Sequence, residues 1–330
     1  MGSLLRLFSI ILATMFLMFG AGCGEPVDTT SESKTEEQPK IVKIGYLPII
    51  NSLPLYVAIE SNHLREEGIE PELIKFLTSN DLVEALIAGR IDAQVSASVS
   101  VLLAMEQYSP GKSKIFSVNV QSKLKYPDYI IVKSDSSIQT MADLEGKKLG
   151  VFPGSTFQII TKAILEDCSV DPSKVKLEQI PPTVQVEALS TGVVDAIYTL
   201  EPFASLAIEQ ANGRILEEAP AEKHVIDPLP GGAASVSVMF VQRDSKAAKS
   251  LVAAFDKAID EILKDEKSSR KVLTKYVPIS EDLAVKVNIV DFWPSDRISI
   301  MALQNYAEFL YKEGDIKSKP DVASMVLILK

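Results

Sequence analysis

Lys43-Ile44-Gly45-Tyr46-Leu47-Pro48 returns further along the chain as Lys148-Leu149-Gly150-Val151-Phe152-Pro153. Glu84-Ala85-Leu86-x-x-Gly89-x-Ile91-Asp92-Ala93 returns, in the same order and at nearly the same spacing, as Glu187-Ala188-Leu189-x-x-Gly192-x-Val194-Asp195-Ala196. Two motifs repeated in one order predict two related α/β lobes. In each copy an apolar run suited to a buried strand ends at proline, and a polar turn leads into a helix. The second motif ends a helix at glycine and opens another strand. Strands alternating with helices at these lengths predict a parallel, doubly wound sheet in each lobe.

The chain has 330 residues, 46% of them hydrophobic and 24% charged, which is too long for one ordinary core and typical of a folded protein. The first lobe is expected over 41–122 and 242–330, and the second over 123–241. The crossing out is expected at Tyr126-Pro127-Asp128 and the return at Pro228-Leu229-Pro230-Gly231-Gly232, with Val236 to Gln242 as the strand leading back. Beyond Ser245, apolar spacing at Leu251, Ala254, Phe255 and Ile259 predicts helices cladding the first lobe.

The N-terminus reads differently. Arg6, the apolar run Leu7 to Phe19 and then Gly20-Ala21-Gly22 have the form of a secretory signal over 1–22. Cys23, directly after Ala21-Gly22, resembles the acylated cysteine of a bacterial lipoprotein box, although Gly20 stands where leucine is usual. Residues 23–40 hold almost no large apolar side chain and are expected to be a disordered tether. With Cys23 acylated, Cys168 is left without a disulfide partner, as a small buried residue. The formal charge of −10 speaks against nucleic acid as a partner, which needs clustered Lys and Arg.

In open α/β sheets ligands sit beyond the carboxyl ends of the strands, where helices begin and offer free N–H groups. The candidate ligand residues at those turns are Asn51 and Ser52, Ser79 and Asn80, and Ser96 and Ser98. The second lobe adds Gly154, Ser155, Thr156, Tyr198 and Glu201. Each Ser, Thr or Asn can instead cap its own helix, and Glu201 can be a first-turn partner of the helix dipole. Asp92 and Asp195 fall at the opposite end of the sheets and read as structural. GxGxxG, GxxxxGK[ST], CxxC and HExxH are all absent. His63 and His224 have no neighbouring acid or nucleophile in sequence, so no triad is assembled. No catalytic residue, metal site or cofactor is expected.

On KIGYLPIINSLPLYVAIESNHLREEGIEPELIKF, EALIAGRIDAQ, ADLEGKKLGVFPGST and EALSTGVVDAIYTLEPF, the chain resembles the periplasmic substrate-binding proteins of ABC importers. The group is the one handling nitrate, sulfonate, taurine and thiamine-pyrimidine precursors. The resemblance implies a two-lobed, type II "Venus flytrap" fold with a hinged cleft. It also implies a small sulfonate-, nitrate- or pyrimidine-like solute, a permease with its ATPase as partners, and a monomer held to the membrane through its lipid alone. A ligand-sensing module for a membrane receptor and a thiamine-pyrimidine synthase-like enzyme share the fold and stay open as alternatives. The family often has Trp before its Glu-Pro pair; Leu200 stands there in this chain, which leaves that aromatic wall missing. No basic residue is evident for an anion, so a neutral or zwitterionic ligand also stays open.

Overall fold

A computed structural model of the protein describes residues 38–328. The expected signal segment, Cys23 and most of the expected tether lie outside them. The strands are β1 (Lys40–Tyr46), β2 (Ile69–Lys75), β3 (Ala93–Ser98), β4 (Ser113–Gln121), β5 (Asp128–Lys133) and β6 (Lys148–Val151). They continue as β7 (Lys176–Gln179), β8 (Ala196–Leu200), β9 (Gly213–Glu218), β10 (Leu229–Ser237) and β11 (Asp291–Trp293). One sheet has the order β11-β4-β10-β3-β1-β2 and the other β7-β6-β8-β5-β9.

The doubled motif is visible in this topology. Stripped of β11, the two orders are the same, with β1, β2 and β3 matched by β6, β7 and β8. The sheets are nevertheless mixed, not purely parallel as the alternation of strands and helices predicts. β10 runs antiparallel to β3 and β4 in the first sheet, and β5 antiparallel to β8 and β9 in the second. These two strands follow the crossings between the sheets, and hydrophobic periodicity carries no strand direction.

The return crossing comes earlier than the sequence suggests. The strand expected over Val236 to Gln242 is β10 at Leu229–Ser237, which belongs to the first sheet, while Val238–Arg243 is helical. The second stretch thus ends before Leu229 and not at 241. Pro230-Gly231-Gly232 reads as a turn in sequence but lies inside a strand with a register shift between Pro230 and Gly232. A Cβ on Gly231 would stand 2.9 Å from Gln121 Nε2, and one on Gly232 would stand 3.1 Å from Asn119 Nδ2. The glycines let β4 side chains lie against the β10 backbone.

The repeated EALxxGxxDA motif ties strand to strand. Gly89 and Gly192 adopt φ of 69° and 75°, and each closes its helix in a Schellman arrangement. Arg90 N donates to Ala85 O at 2.9 Å, and Val193 N to Ala188 O at 2.9 Å. The following aspartates act alike. Asp92 Oδ2 accepts from Lys43 N at 3.0 Å and Asp195 Oδ2 from Lys148 N at 2.8 Å, while their own N–H groups donate to Lys43 O and Lys148 O. Each acid therefore satisfies the backbone donor of the repeated motif's first residue, away from the turn that follows the strand. Asp92 also receives Arg243 Nη2 at 2.7 Å. The strand glycine leaves room for this packing, since a Cβ on Gly45 would come within 2.5 Å of Ile91 Cδ1.

The helix Ser245–Lys264 clads the first sheet as expected, burying Leu251, Ala254, Phe255 and Ile259. Phe255 meets Phe116 of β4 edge to face at 5.2 Å. Each such fully buried side chain contributes about 1.5–3 kcal/mol. Among the described residues no helix is long and apolar enough to cross a membrane.

Candidate functional site

The turns at the carboxyl ends of β1, β3, β6 and β8 open onto one cavity of about 720 Å³ walled by both sheets and their helices. Asn51, Ser79, Asn80, Ser96 and Ser98 line it from the first sheet's side, and Gly154, Ser155, Thr156 and Tyr198 from the second's. Two expected residues do not line it. Ser52 is fully buried, its hydroxyl donating to Leu47 O at 2.6 Å to close the turn after β1. Glu201 accepts from Ser205 N at 3.1 Å and Ser205 Oγ at 2.9 Å. It acts on its own helix, Phe203–Gln210, and burial raises its carboxyl above the usual range.

Most of the polar residues are not spent on capping. Thr78 caps the helix Ser79–Ile87 by accepting from Asp81 N at 3.1 Å, which leaves Ser79 Oγ to accept from Ser98 N at 3.1 Å. Ser98 Oγ pairs with Ser100 Oγ at 2.8 Å, and no side chain caps the helix Val99–Tyr108. The helix Ser155–Asp167 is likewise uncapped: it starts at Gly154, whose φ of 120° calls for glycine. Two helix starts with unsatisfied N–H groups and about half a positive charge each thus meet the cavity from opposite sheets.

Ser96 is held in the left-handed region at φ 67°, a conformation uncommon outside glycine. It stands where the β3–β10 pairing shifts register between Ala233 and Ser235, and such bulges re-aim side chains. Asn119 Nδ2 braces the turn, donating to Ser96 Oγ at 3.2 Å and Asn51 O at 3.1 Å. Across the cavity mouth, Thr156 Oγ1 donates to Asp315 Oδ2 at 2.7 Å, linking the second sheet's first helix to the segment after helix Ile300–Lys312.

No charged side chain is among the described residues lining the cavity. Leu200 does line it in place of the expected aromatic, yet rings are present. Phe152 and Phe157 meet edge to face at 4.8 Å, and Phe157 and Tyr198 at 6.3 Å. Sequence reasoning passed over Phe152 and Phe157 although they flank the Pro153-to-Thr156 turn. Gln121 and Tyr306, which also line the cavity, carry no sequence signal of it.

Behind Tyr198 lies a pair of buried acids. Asp128 Oδ2 accepts from Tyr198 Oη at 3.1 Å and from Ala221 N at 3.2 Å. Burial raises its carboxyl above the usual value. Burial above all, and then the neighbouring Asp128 charge, raise Glu222 to about 10. The pair therefore keeps a proton at neutral pH. Burial, with these acids beside it, also drives the Tyr198 phenol well above its ordinary value.

His224 does meet an acid and a thiol, which its sequence neighbours do not suggest. Nδ1 lies 2.8 Å from Asp167 Oδ2, and Cys168 Sγ lies 3.7 Å from Nδ1 and 3.6 Å from Nε2. Helix Ser155–Asp167 packs on helix Pro220–His224 and brings the three together. Sulfur nearly equidistant from both ring nitrogens faces neither lone pair squarely, and burial with Glu217 and Asp167 pushes the thiol up to about 11. Such a thiol is not an activated nucleophile. The cluster sits at the far end of the helix whose start lines the cavity. Among the described residues no three His, Cys, Asp or Glu are grouped to hold a metal.

The NMT1-like family matches residues 35–277. A Bacillus subtilis protein named as an aliphatic sulfonates-binding protein is 26% identical over 96% of this chain and 93% of its own length. The periplasmic aliphatic sulphonate binding protein SsuA of Escherichia coli superposes with a TM-score of 0.72 at 18% identity, covering 89% of this chain and 94% of that one. The desulfurization enzyme DSZB superposes with a TM-score of 0.65 at 16% identity, covering 86% of this chain and 96% of that one. The mirrored pair of mixed sheets is thus the periplasmic-binding-protein fold, and the chain belongs to the NMT1-like family.

Proposed function

We propose that the chain is the exported solute-binding component of an ABC importer and that it carries an organosulfonate or a similar small organic anion. The observation that carries this reading is the cavity itself, with uncapped helix starts and serine and threonine hydroxyls converging from both sheets. Hydroxyls and N–H groups can hold an anionic head without a cationic side chain, because helix starts supply partial positive charge. A bare inorganic anion such as nitrate would fill little of about 720 Å³. The names of the sulfonate-binding relatives agree with this choice.

Ligand would bridge the two lobes and favour the closed form by its differential affinity for it. The segments joining the sheets, 122–127 and 225–228, would serve as the hinge, and Thr156–Asp315 as a contact across the cleft. The account includes export by the segment 1–22, acylation at Cys23, a monomeric state and docking on a permease. It includes no catalytic step.

Calorimetric titration with ethanesulfonate, butanesulfonate and nitrate tests the reading. One-site binding of a sulfonate with an affinity at least tenfold above that of nitrate is expected. Heats indistinguishable from dilution for every sulfonate would remove the proposal, and turnover of a sulfonate with release of sulfite would move the chain to the enzymes.

A further inference from the structure

The site offers more apolar surface than a short aliphatic chain can cover, and its placement is specific. From the first sheet's side, Leu77 and Ile49 line the cavity while 83% and 39% exposed. From the second's, Phe157 is half-buried with Phe152 and Tyr198 packed edge to face against it, and Leu200 continues the same wall. Apolar side chains left open to water in a cleft gain free energy only when something apolar covers them.

The Tyr198 hydroxyl is already committed. It donates to the buried Asp128 carboxylate at 3.1 Å, so it has no proton to give to an anionic head. That end of the cavity is therefore suited to the body of the ligand. The head belongs with the hydroxyls and helix starts at Ser79, Ser98 and Ser155. An aromatic ring is the body that best matches a wall of edge-to-face rings, since such pairs add attraction beyond the area they bury.

Resting on the sulfonate reading above, we infer that this cavity selects arylsulfonates over alkylsulfonates, with the ring held between Phe157 and the Leu77–Ile49 wall. The selectivity comes from shape and ring contact, and it needs no further charged group.

Calorimetry with 2-naphthalenesulfonate, benzenesulfonate and butanesulfonate on the purified mature protein reads this out. 2-Naphthalenesulfonate is expected to bind about tenfold or more tighter than butanesulfonate, from ring pairing and added burial. Phe157→Leu should lower the naphthalenesulfonate affinity about tenfold and so narrow its advantage over butanesulfonate. Leu77→Ser, at an exposed position that folding does not depend on, should act in the same direction. Equal or tighter binding of butanesulfonate would overturn the inference and leave the sulfonate reading standing. Absence of binding by both series would remove that reading as well.

Discussion

Replacing Glu222 by glutamine should flatten one component of the pH dependence of stability. Glu222 is 1% exposed, its carboxyl oxygens have no hydrogen-bond partner, and it lies beside the buried Asp128, whose Oδ2 accepts from Tyr198 and Ala221. Its carboxyl is raised from the ordinary 4.5 to about 10 in the folded protein. The folded state therefore keeps a proton that the unfolded chain releases above its own pKa. Stability from this group is complete below pH 4.5, falls as pH rises, and has gone once pH passes the folded value. One proton corresponds to a slope of about 1.4 kcal/mol per pH unit inside that window. Glutamine keeps nearly the same shape and cannot ionise. Between pH 6 and pH 8 the wild type should thus lose about 3 kcal/mol relative to Glu222→Gln. Urea denaturation of both proteins at the two pH values measures the difference, read as the change in midpoint multiplied by the slope m. A variant-minus-wild-type difference that is flat across this range would refute the shared proton.

Other expected outcomes follow from the same geometry. Asp195→Ala should cost about 1 kcal/mol and Asp92→Ala about 2 kcal/mol in urea, because Asp92 is buried where Asp195 is exposed, while its pairing with the largely exposed Arg243 adds little. Ligand affinity measured on both folded variants should be unchanged, and a tenfold weakening would place these acids in the site after all. Ser155→Ala with Thr156→Ala should weaken sulfonate binding by about tenfold, roughly one charged hydrogen bond, with only a small fall in melting temperature from the lost Thr156–Asp315 bond. An unchanged dissociation constant would remove the second lobe's turn from the site. Cys23→Ala should move the expressed protein from the membrane fraction to the soluble one, and unchanged membrane retention would contradict the anchor.

The doubled motif made the mirrored sheets legible because each repeated residue has a local task. Gly89 and Gly192 close helices, Asp92 and Asp195 satisfy the next strand, and Gly45 and Gly150 admit the packing around them. Strand direction was not legible, since hydrophobic periodicity carries no direction. Pro230-Gly231-Gly232 misled because the features that mark a turn also allow a bulged strand pressed against Asn119 and Gln121. Of the helix-start polar residues, Ser52 and Glu201 do not line the cavity. Those two satisfy their own local backbone, and only coordinates separate that use from ligand contact. The Asp128–Glu222 pair joins residues distant in sequence through a crossing, so no spacing announces it.

The most direct test of the central claim is a crystal structure of the protein grown with a saturating sulfonate. The account predicts density for the ligand inside the cavity, its sulfonate oxygens within hydrogen-bond distance of the first-turn N–H groups at Ser155 or Val99 and of the hydroxyls of Ser79, Ser98 or Ser155. A fully occupied ligand elsewhere on the chain, with this cavity holding only water, would contradict it.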